Sequence, residues 1–327
     1  MALLLTEGDV RAILTMPMAM ELVETSFRRL ADKSATCHPR RRLRMAERGL
    51  MNYMAATDSA GGYMGLKIYT VSPNGVRFVI PLFSSHTGEL LALIEADCLG
   101  QMRTGAATGV ATRVLSRADA RTAAIVGTGL QARTQLEAVS HARKLELVRA
   151  YGRDAARREK FAEEMTARLR VPVVAADSAE EAVRDADIVI TSTTASKPVV
   201  AGRWLRPGVH INAIGSNFAE KQELDAEAVG RCDVIAADSV EQSKIEAGDL
   251  VQAFAGDQSR WSSVRELSDI IAGTAPGRTN RDQITLFKSN GIAIEDVVVG
   301  GRVYEIARER RMGRDVPMWQ DVLSAQA

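Results

Sequence analysis

Residues 121–142 read RTAAIVGTGLQARTQLEAVSHA, which has the pattern of a strand, a glycine-rich turn and a helix in immediate succession. After the apolar run 123–126, Gly127, Gly129 and Ala132 occupy the three small positions of the G-x-G-x-x-G/A pattern. In that pattern the first glycine permits a tight turn, the second lets backbone approach a pyrophosphate, and the third small residue lets the helix pack closely on the strand. The stretch favours a dinucleotide-binding turn over the alternative, a turn that is rich in glycine only for tight packing.

The chain around and after this turn alternates between strand-like and helical segments. Such alternation is typical of a Rossmann-type doubly wound parallel sheet in an α/β protein. The strand-like runs lie at 123–126, 147–151, 171–175, 187–191, 210–214, 233–237 and 284–287.

The first hundred residues have a different pattern. Two helical segments open the chain, the second beginning at Pro17, and strand-like runs separated by turns such as Asn74-Gly75 fill residues 50–97. These runs predict a second α/β domain with a mixed or antiparallel sheet. Residues 99–115 are rich in glycine and alanine and predict a helix with one face small enough to lie very close to a neighbour.

Composition narrows the possible functions. The 327 residues carry 42 basic and 41 acidic side chains, so charge gives no reason to expect a nucleic-acid partner. The three cysteines are widely spaced and the four histidines lack ligand spacing, which predicts neither a disulfide framework nor a metal site. With no long apolar run, we expect a cytoplasmic protein that binds no metal, nucleic acid or membrane.

In a doubly wound sheet, ligands bind beyond the carboxyl ends of the strands, and the residues there are the cofactor candidates. The second strand ends at Tyr151-Gly152-Arg153, where NAD sites usually place an acid, so Arg153 favours a 2′-phosphate and NADP(H) over NAD(H). The alternatives are that this arginine only solvates a helix, or that Asp154 serves as the acid. The predicted cofactor-binding residues are Gly127, Thr128, Gly129, Leu130, Gln131, Ala132, Arg153, Thr191, Ser192, Thr193, Ile214 and Gly215.

Cations in the first domain suggest a small anionic substrate. Lys67 interrupts the apolar run YMGLKIYTV, where an unpaired ammonium would be costly, although an edge-strand lysine is an equal alternative. Arg103 lies close to the expected start of a helix, where the helix dipole prefers an anion, and a bound carboxylate would resolve that conflict. The arginine cluster at 40–44 provides a further candidate guanidinium, and we expect most of the side chains in this cluster to be solvated.

Together these segments resemble the ornithine cyclodeaminase/mu-crystallin family along nearly the whole chain. The matching fragments are Pro39-Arg40-Arg41, MGLK ending at Lys67, TGELLALIEA, QMRTGAATGVAT, GTGLQA, DSVEQSKIEAGDL and LFKSNG ending at Gly291.

The resemblance implies a substrate-binding and dimerisation domain at 1–117 and 301–327, and a dinucleotide-binding domain at 118–300. It also implies a homodimer and a small amino or imino acid as substrate. By the same resemblance Arg41 and Arg103 hold the substrate carboxylate beside Lys67, with Lys67 and Arg103 as catalytic residues and Ser289 and Gly291 as further substrate-binding residues.

One position departs from the cyclodeaminases of that family. They carry an aspartate after the glycine that Gly215 resembles, whereas this chain has Ser216, which cannot act as the same general base. We therefore expect an NAD(P)H-dependent reductase of a C=N bond next to a carboxylate, with amino-acid dehydrogenation as the reverse reaction. The alternatives are a cyclodeaminase-type lyase that uses NAD catalytically and a mu-crystallin-like, NADPH-gated ligand-binding protein.

Overall fold

The computed structural model describes residues 1–46 and 49–318. The chain forms two compact units, one of Met1–Arg103 with Ile292–Ala327 and one of Thr104–Gly291. The domain bounds expected from the sequence, at 117 and 300, stay a prediction. Both units are α/β, and the expected combination of a doubly wound parallel sheet with a mixed sheet is confirmed.

The first unit is built on an eight-stranded mixed sheet. Its order is β16-β1-β7-β6-β5-β4-β2, with β3 also paired to β4; β1 runs parallel to β7, and the other pairs are antiparallel. The predicted hairpins are therefore present, and Gly75 makes the β5–β6 turn with φ +108°. The strands are β1 (Ala2–Leu5), β2 (Ala35–Cys37), β3 (Arg41–Arg44), β4 (Leu50–Asp58), β5 (Tyr63–Ser72), β6 (Gly75–Ser84), β7 (Leu90–Glu95) and β16 (Arg314–Val316).

Helices cover this sheet. The first two are α1 (Glu7–Ile13) and α2 (Met16–Ala31), and α2 buries an apolar stripe that includes Met20 and Phe27. The last helix, α11 (Ala293–Arg310), packs on β4, β5 and α2 and buries most of its first ten residues. Since both ends of the chain contribute, this unit needs its C-terminal helix to complete its core.

The second unit holds an eight-stranded sheet that is parallel throughout its described strands, in the order β10-β9-β8-β11-β12-β15-β13-β14. All seven strands expected from the sequence are present, and β14 is the additional one. Its strands are β8 (Thr122–Val126), β9 (Leu147–Tyr151), β10 (Val173–Ala175), β11 (Ile188–Thr191), β12 (His210–Ala213), β13 (Val234–Ala237), β14 (Val264–Glu266) and β15 (Thr285–Lys288).

Apolar cores form on both faces of the parallel sheet, which explains why its strands read as continuous apolar runs. One core includes Leu136 and Phe161, and the other includes Leu250 and Phe254. The covering helices are α4 (Leu130–Ala142), α5 (Ala155–Leu169), α6 (Ala179–Val183), α7 (Ala226–Gly230), α8 (Val240–Glu246), α9 (Gly248–Ala253) and α10 (Leu267–Ala272).

The order of the parallel strands fixes where a ligand binds. The chain proceeds from β8 to β9 and β10 on one side and then returns to β11 on the other side of β8. Ligands of such sheets bind at this switch point, beyond the carboxyl ends of the strands. Residues that follow β8, β9, β11 and β12 are therefore the ones that can contact a nucleotide.

The glycine- and alanine-rich helix α3 (Asp97–Leu115) makes the close contact expected of it. A Cβ at Gly105 would lie 2.5 Å from the carbonyl oxygen of Thr134 in α4, so the two backbones approach as only glycine allows. In the part of the chain that is described, no helix has the length and apolar character needed to span a membrane.

Candidate active site

Lys67 lies in the middle of the first sheet. Its strand, β5, pairs with β4 on one side and β6 on the other, and the side chain is 2% exposed. The edge-strand alternative is therefore wrong. Its Nζ donates to Oδ1 of Asp296 at 2.7 Å and lies 5.4 Å from the ring centroid of Phe78.

Arg103 belongs to the same cluster, but not for the reason deduced from the sequence. Helix α3 begins at Asp97, so Arg103 lies in its second turn, and the first-turn N–H groups of Asp97 and Cys98 donate to the carboxylate of Glu7. The dipole argument for a bound carboxylate is thus wrong, because Glu7 supplies the anion. The guanidinium of Arg103 instead donates from Nη1 to Glu295 at 2.7 Å and from Nε to Asp296 at 3.2 Å.

Glu295 and Asp296 are the members of the cluster that the sequence analysis missed. Both lie in the first turn of α11, where the helix dipole stabilises negative charge, and both are fully buried. The available signal was a pair of acids inside an otherwise apolar segment, 292–299, since buried carboxylates require cationic or hydrogen-bonding partners.

The surroundings of Lys67 lower its pKa toward neutral pH. Burial lowers the pKa of Lys67 to about 8, the positive charges of Arg103 and Arg40 act in the same direction, and Asp296 opposes them. At neutral pH the side chain is largely an ammonium, yet it releases its proton far more readily than an ordinary lysine. A pKa of this kind suits a general acid.

Arg40, which lies between β2 and β3, is the arginine that faces Lys67. Met54 is directly opposite Lys67 in the sheet, whereas Arg41 is opposite Tyr53 and therefore lies on the other face. Arg40 is 5% exposed and its charge acts on Lys67, while Arg41 is exposed. The role expected for Arg41 stays a prediction, and the geometry favours Arg40 for it.

The glycine turn of the second unit has the form of an anion cradle. Gly127 adopts φ +109°, and a Cβ there would lie 2.2 Å from the carbonyl oxygen of Ser192. Gly129 is the N-cap of α4 and has no side chain to bond the first-turn N–H groups. No described heavy atom comes within 4 Å of a Cβ built at Gly129, and Ala132 is buried against the strand. These features fit a pyrophosphate at the helix N-terminus.

At the end of β9, Gly152 lies against Thr128, whose Oγ1 would be 2.6 Å from a Cβ built on the glycine. Arg153 is exposed just beyond it. Asp154, which had been the alternative acid for an NAD ribose, accepts from the N–H of Arg157 and caps α5. Arg158 donates to the Gly152 carbonyl oxygen at 3.0 Å.

The ends of β11 and β12 bring the other cofactor candidates together. Thr191 is buried, and Ser192 donates from its N–H to the carbonyl oxygen of Val126 at the end of β8. A Cβ at Gly215 would lie 2.3 Å from the carbonyl oxygen of Thr193. Leu130 and Gln131 begin α4, and Ile214 directly follows β12. All three therefore lie at the same carboxyl edge of the sheet.

The segment after β15 carries the last two predicted substrate residues. The carboxylate of Asp238 accepts from the hydroxyl of Ser289 at 3.2 Å and from the N–H of Gly291 at 2.6 Å. Both residues are thus fixed by Asp238, and their contact with substrate stays a prediction. Among the described residues, no group of three or more His, Cys, Asp or Glu side chains is placed to hold a metal ion.

Ser216 occupies the position at which cyclodeaminases are expected to carry an aspartate. Its side chain is 1% exposed, and its hydroxyl donates to the carbonyl oxygen of Lys221 at 2.6 Å. The hydroxyl therefore serves a local turn rather than offering a base.

Comparison with known proteins agrees with this description. The family model described as "Ornithine cyclodeaminase/mu-crystallin family" matches residues 2–311. The chain is 38% identical over 261 residues to a Delta(1)-pyrroline-2-carboxylate reductase of Bacillus cereus, covering 77% of this chain and 80% of the relative.

Two solved structures are similar over nearly their whole length. One is the Thermococcus litoralis Delta(1)-pyrroline-2-carboxylate reductase in complex with NADH and L-proline, with a TM-score of 0.92, 36% identity, and 96% of this chain and 100% of the other covered. The other is an archaeal alanine dehydrogenase dimer with bound NAD, with a TM-score of 0.91, 33% identity, and coverage of 97% and 99%.

We expect Asp296→Asn to destabilise the protein by about 3 kcal/mol, because the amide keeps an oxygen there but removes the negative charge that two buried cations share. The matched control is Glu309→Gln on the exposed part of the same helix, where the acid lies 4.0 Å from Arg302. It should cost less than about 0.5 kcal/mol. Urea unfolding of the two variants measures the difference, and equal midpoints would contradict a structural role for the buried ion cluster.

Proposed function

Because the chain belongs to the ornithine cyclodeaminase/mu-crystallin family, we propose that it is an NAD(P)H-dependent reductase of a C=N bond next to a carboxylate. The observation that carries the proposal is the buried Lys67, whose pKa of about 8 and position among guanidiniums suit a proton donor to an anionic imine. The substrates proposed are cyclic ketimines such as pyrroline- or piperideine-2-carboxylate, and imines of a 2-oxo acid with an amine. The relatives named as pyrroline-2-carboxylate reductases support the cyclic ketimines.

The first unit supplies the polar chemistry of this reaction. Arg40 and Arg103 attract the substrate carboxylate, and Asp296 keeps Arg103 and Lys67 in fixed positions through one shared oxygen. Lys67 donates a proton to the imine nitrogen, which makes the neighbouring carbon electron-poor. The nicotinamide cofactor, when bound, supplies the hydride for that carbon. Catalysis then depends mainly on positioning and on one proton transfer.

Ser216 makes this reaction a better proposal than a redox-neutral cyclodeamination. A cyclodeaminase requires a base at the substrate amine, whereas the Ser216 hydroxyl is buried and donates to a carbonyl oxygen. The buried lysine with a lowered pKa also favours an enzyme over a protein that only binds a ligand.

We further propose that NADP(H) is preferred over NAD(H). Three features at the end of β9 support this preference: Gly152 stands where an acid would bind the ribose, Asp154 is engaged as a helix cap, and Arg153 is exposed nearby. The two solved relatives contain NADH and NAD, so a preference for NADP(H) through Arg153 would distinguish this chain from them.

The proposal also includes a cytoplasmic homodimer. A groove on the sheet of the first unit, on the face away from Lys67, is lined largely by apolar side chains that include Ala55, Met64, Leu66 and Phe83, and it suits a second copy of the chain. The similar alanine dehydrogenase is described as a dimer. All three cysteines are free thiols, in keeping with a reducing compartment.

The direct test is oxidation of NADPH and of NADH, followed by absorbance, with pyrroline-2-carboxylate, piperideine-2-carboxylate, and pyruvate with ammonia or methylamine. We expect turnover with at least one cyclic ketimine, whose rate identifies the preferred ring size. Ornithine tested for ammonia release is the control for the lyase alternative. Ammonia release without imine reduction would exclude the proposed reaction.

Replacement of Lys67 should separate proton donation from binding. For Lys67→Met we expect kcat to fall by about a hundredfold, since a positioned acid contributes roughly that much, while the Kd for the dinucleotide stays unchanged. In the wild type, log kcat/KM should be level below pH 8 and decline above it, because the ammonium loses its proton there. A variant with wild-type kcat and the same alkaline decline would show that another group donates the proton.

Cofactor preference should depend on the exposed arginine after β9. We expect Arg153→Ala to weaken NADPH binding about tenfold, the loss of one charge-assisted phosphate contact, and to leave NADH binding unchanged. Arg168→Ala, at the far end of α5, is the control because its guanidinium pairs with Glu137. Isothermal titration of both dinucleotides provides the values, and an equal loss for NADH and NADPH would refute phosphate recognition by Arg153.

A further inference from the structure

The ends of β11 and β12 are joined by a carboxylate that no motif in the sequence indicates. Glu223 is fully buried in the loop that follows β12. Its Oε1 accepts from the N–H of Thr193 at 2.6 Å, and its Oε2 accepts from the N–H of Gly215 and the hydroxyl of Thr191, each at 2.7 Å. One side chain thus bonds three groups on two neighbouring segments.

The backbone of Glu223 is itself held on both sides. Its N–H donates to Oδ1 of Asp249 at 2.6 Å, and its carbonyl oxygen accepts from the N–H groups of Val199 and Val200. Asp249 in turn forms a fully buried ion pair with Lys288 at 3.0 Å. The carboxylate therefore projects from a rigid support.

The segments joined by Glu223 are packed closely against their neighbours. A Cβ at Gly215 would come within 2.3 Å of the Thr193 carbonyl oxygen, and one at Gly127 within 2.2 Å of the Ser192 carbonyl oxygen. A side chain larger than that of glycine therefore does not fit at either position. Since unpaired buried N–H groups are costly, Glu223 fixes the separation of these strand ends.

We propose that Glu223 is a positioning residue for the nicotinamide half of the dinucleotide. This inference rests on the proposed function only for the identity of the cofactor. The adenine half and pyrophosphate are assigned to the β8–α4 turn and the end of β9, so the ends of β11 and β12 are left to contact the nicotinamide ribose. Glu223 does not touch the cofactor and acts through Thr191, Thr193 and Gly215.

The test compares a complete dinucleotide with the same molecule lacking nicotinamide. Kd values are measured for NADPH and 2′-phospho-ADP-ribose, and for NADH and ADP-ribose, so that the 2′-phosphate preference does not matter. In Glu223→Gln an amide NH₂ faces one of the two backbone N–H groups. We expect NADPH and NADH to bind about tenfold more weakly, and the truncated ligands less than about twofold more weakly.

The matched control is Asp187→Asn at the opposite, amino-terminal edge of the same sheet. Asp187 accepts from the N–H groups of Arg121 and Thr122 and from the Thr122 hydroxyl, as Glu223 accepts from two N–H groups and a hydroxyl, and it also pairs with Arg117 and Arg206. Its loss should lower Tm without changing the ratio of the two Kd values. An unchanged ratio in Glu223→Gln, whether both ligands weaken or neither does, would overturn the proposal.

Two further measurements guard against a variant that does not fold. Glu223→Asp keeps the charge but is shorter by one methylene, and a smaller loss confined to the complete dinucleotides is expected. In the wild type without ligand, the amides of Thr193 and Gly215 should exchange hydrogen slowly, and fast exchange would overturn the proposal. If wild-type protein binds neither dinucleotide, the cofactor assignment fails, which is distinct from a failure of Glu223 alone.

Discussion

The shared oxygen of Asp296 is the contact on which the chemistry of the first unit depends. Lys67 and Arg103 repel each other and are both buried, and Asp296 is the counterion that they share. Asp296 Oδ1 lies within 3.2 Å of both cations and joins β5, α3 and α11 at one point. The same contact affects the acidity of Lys67, because burial and the guanidiniums lower the pKa of the lysine while Asp296 raises it.

In the second unit, a buried carboxylate binds backbone N–H groups, whereas the buried carboxylates of the first unit bind side-chain cations. Its parallel strands end in segments so close that Gly127 and Gly215 are required by contacts with Ser192 and Thr193. The N–H groups of Thr193 and Gly215 lie beyond the ends of β11 and β12, where no described strand pairs with them, and buried amides require acceptors. Glu223 provides two carboxylate oxygens for this purpose. A rigid polar edge results, and rigidity is what a cofactor pocket requires if hydride transfer depends on orientation.

Much of the fold could be predicted from sequence because its signals are local. The glycine turn and the apolar runs of the parallel strands each extend over a few residues, whereas β14 has only three residues and no such run. The difference between Arg40 and Arg41 depends on register, and a shift of one residue reverses the face of a strand. Arg103 was found by the wrong argument, because the start of α3 at Asp97 and its cap by Glu7 are not visible in the pattern.

The supporting carboxylates were missed for a more general reason. Asp296 is 229 positions from Lys67 in the chain, and Glu223 lies in a loop with no periodic pattern, so only folding reveals their partners. Resemblance to a family identifies the residues that react, because these lie within recognisable sequence fragments. It does not identify the residues that set the charge and spacing of the reactive groups. Two chains with the same lysine, arginine and glycine turn can therefore differ in rate and pH dependence, according to whether the acids behind these groups are retained.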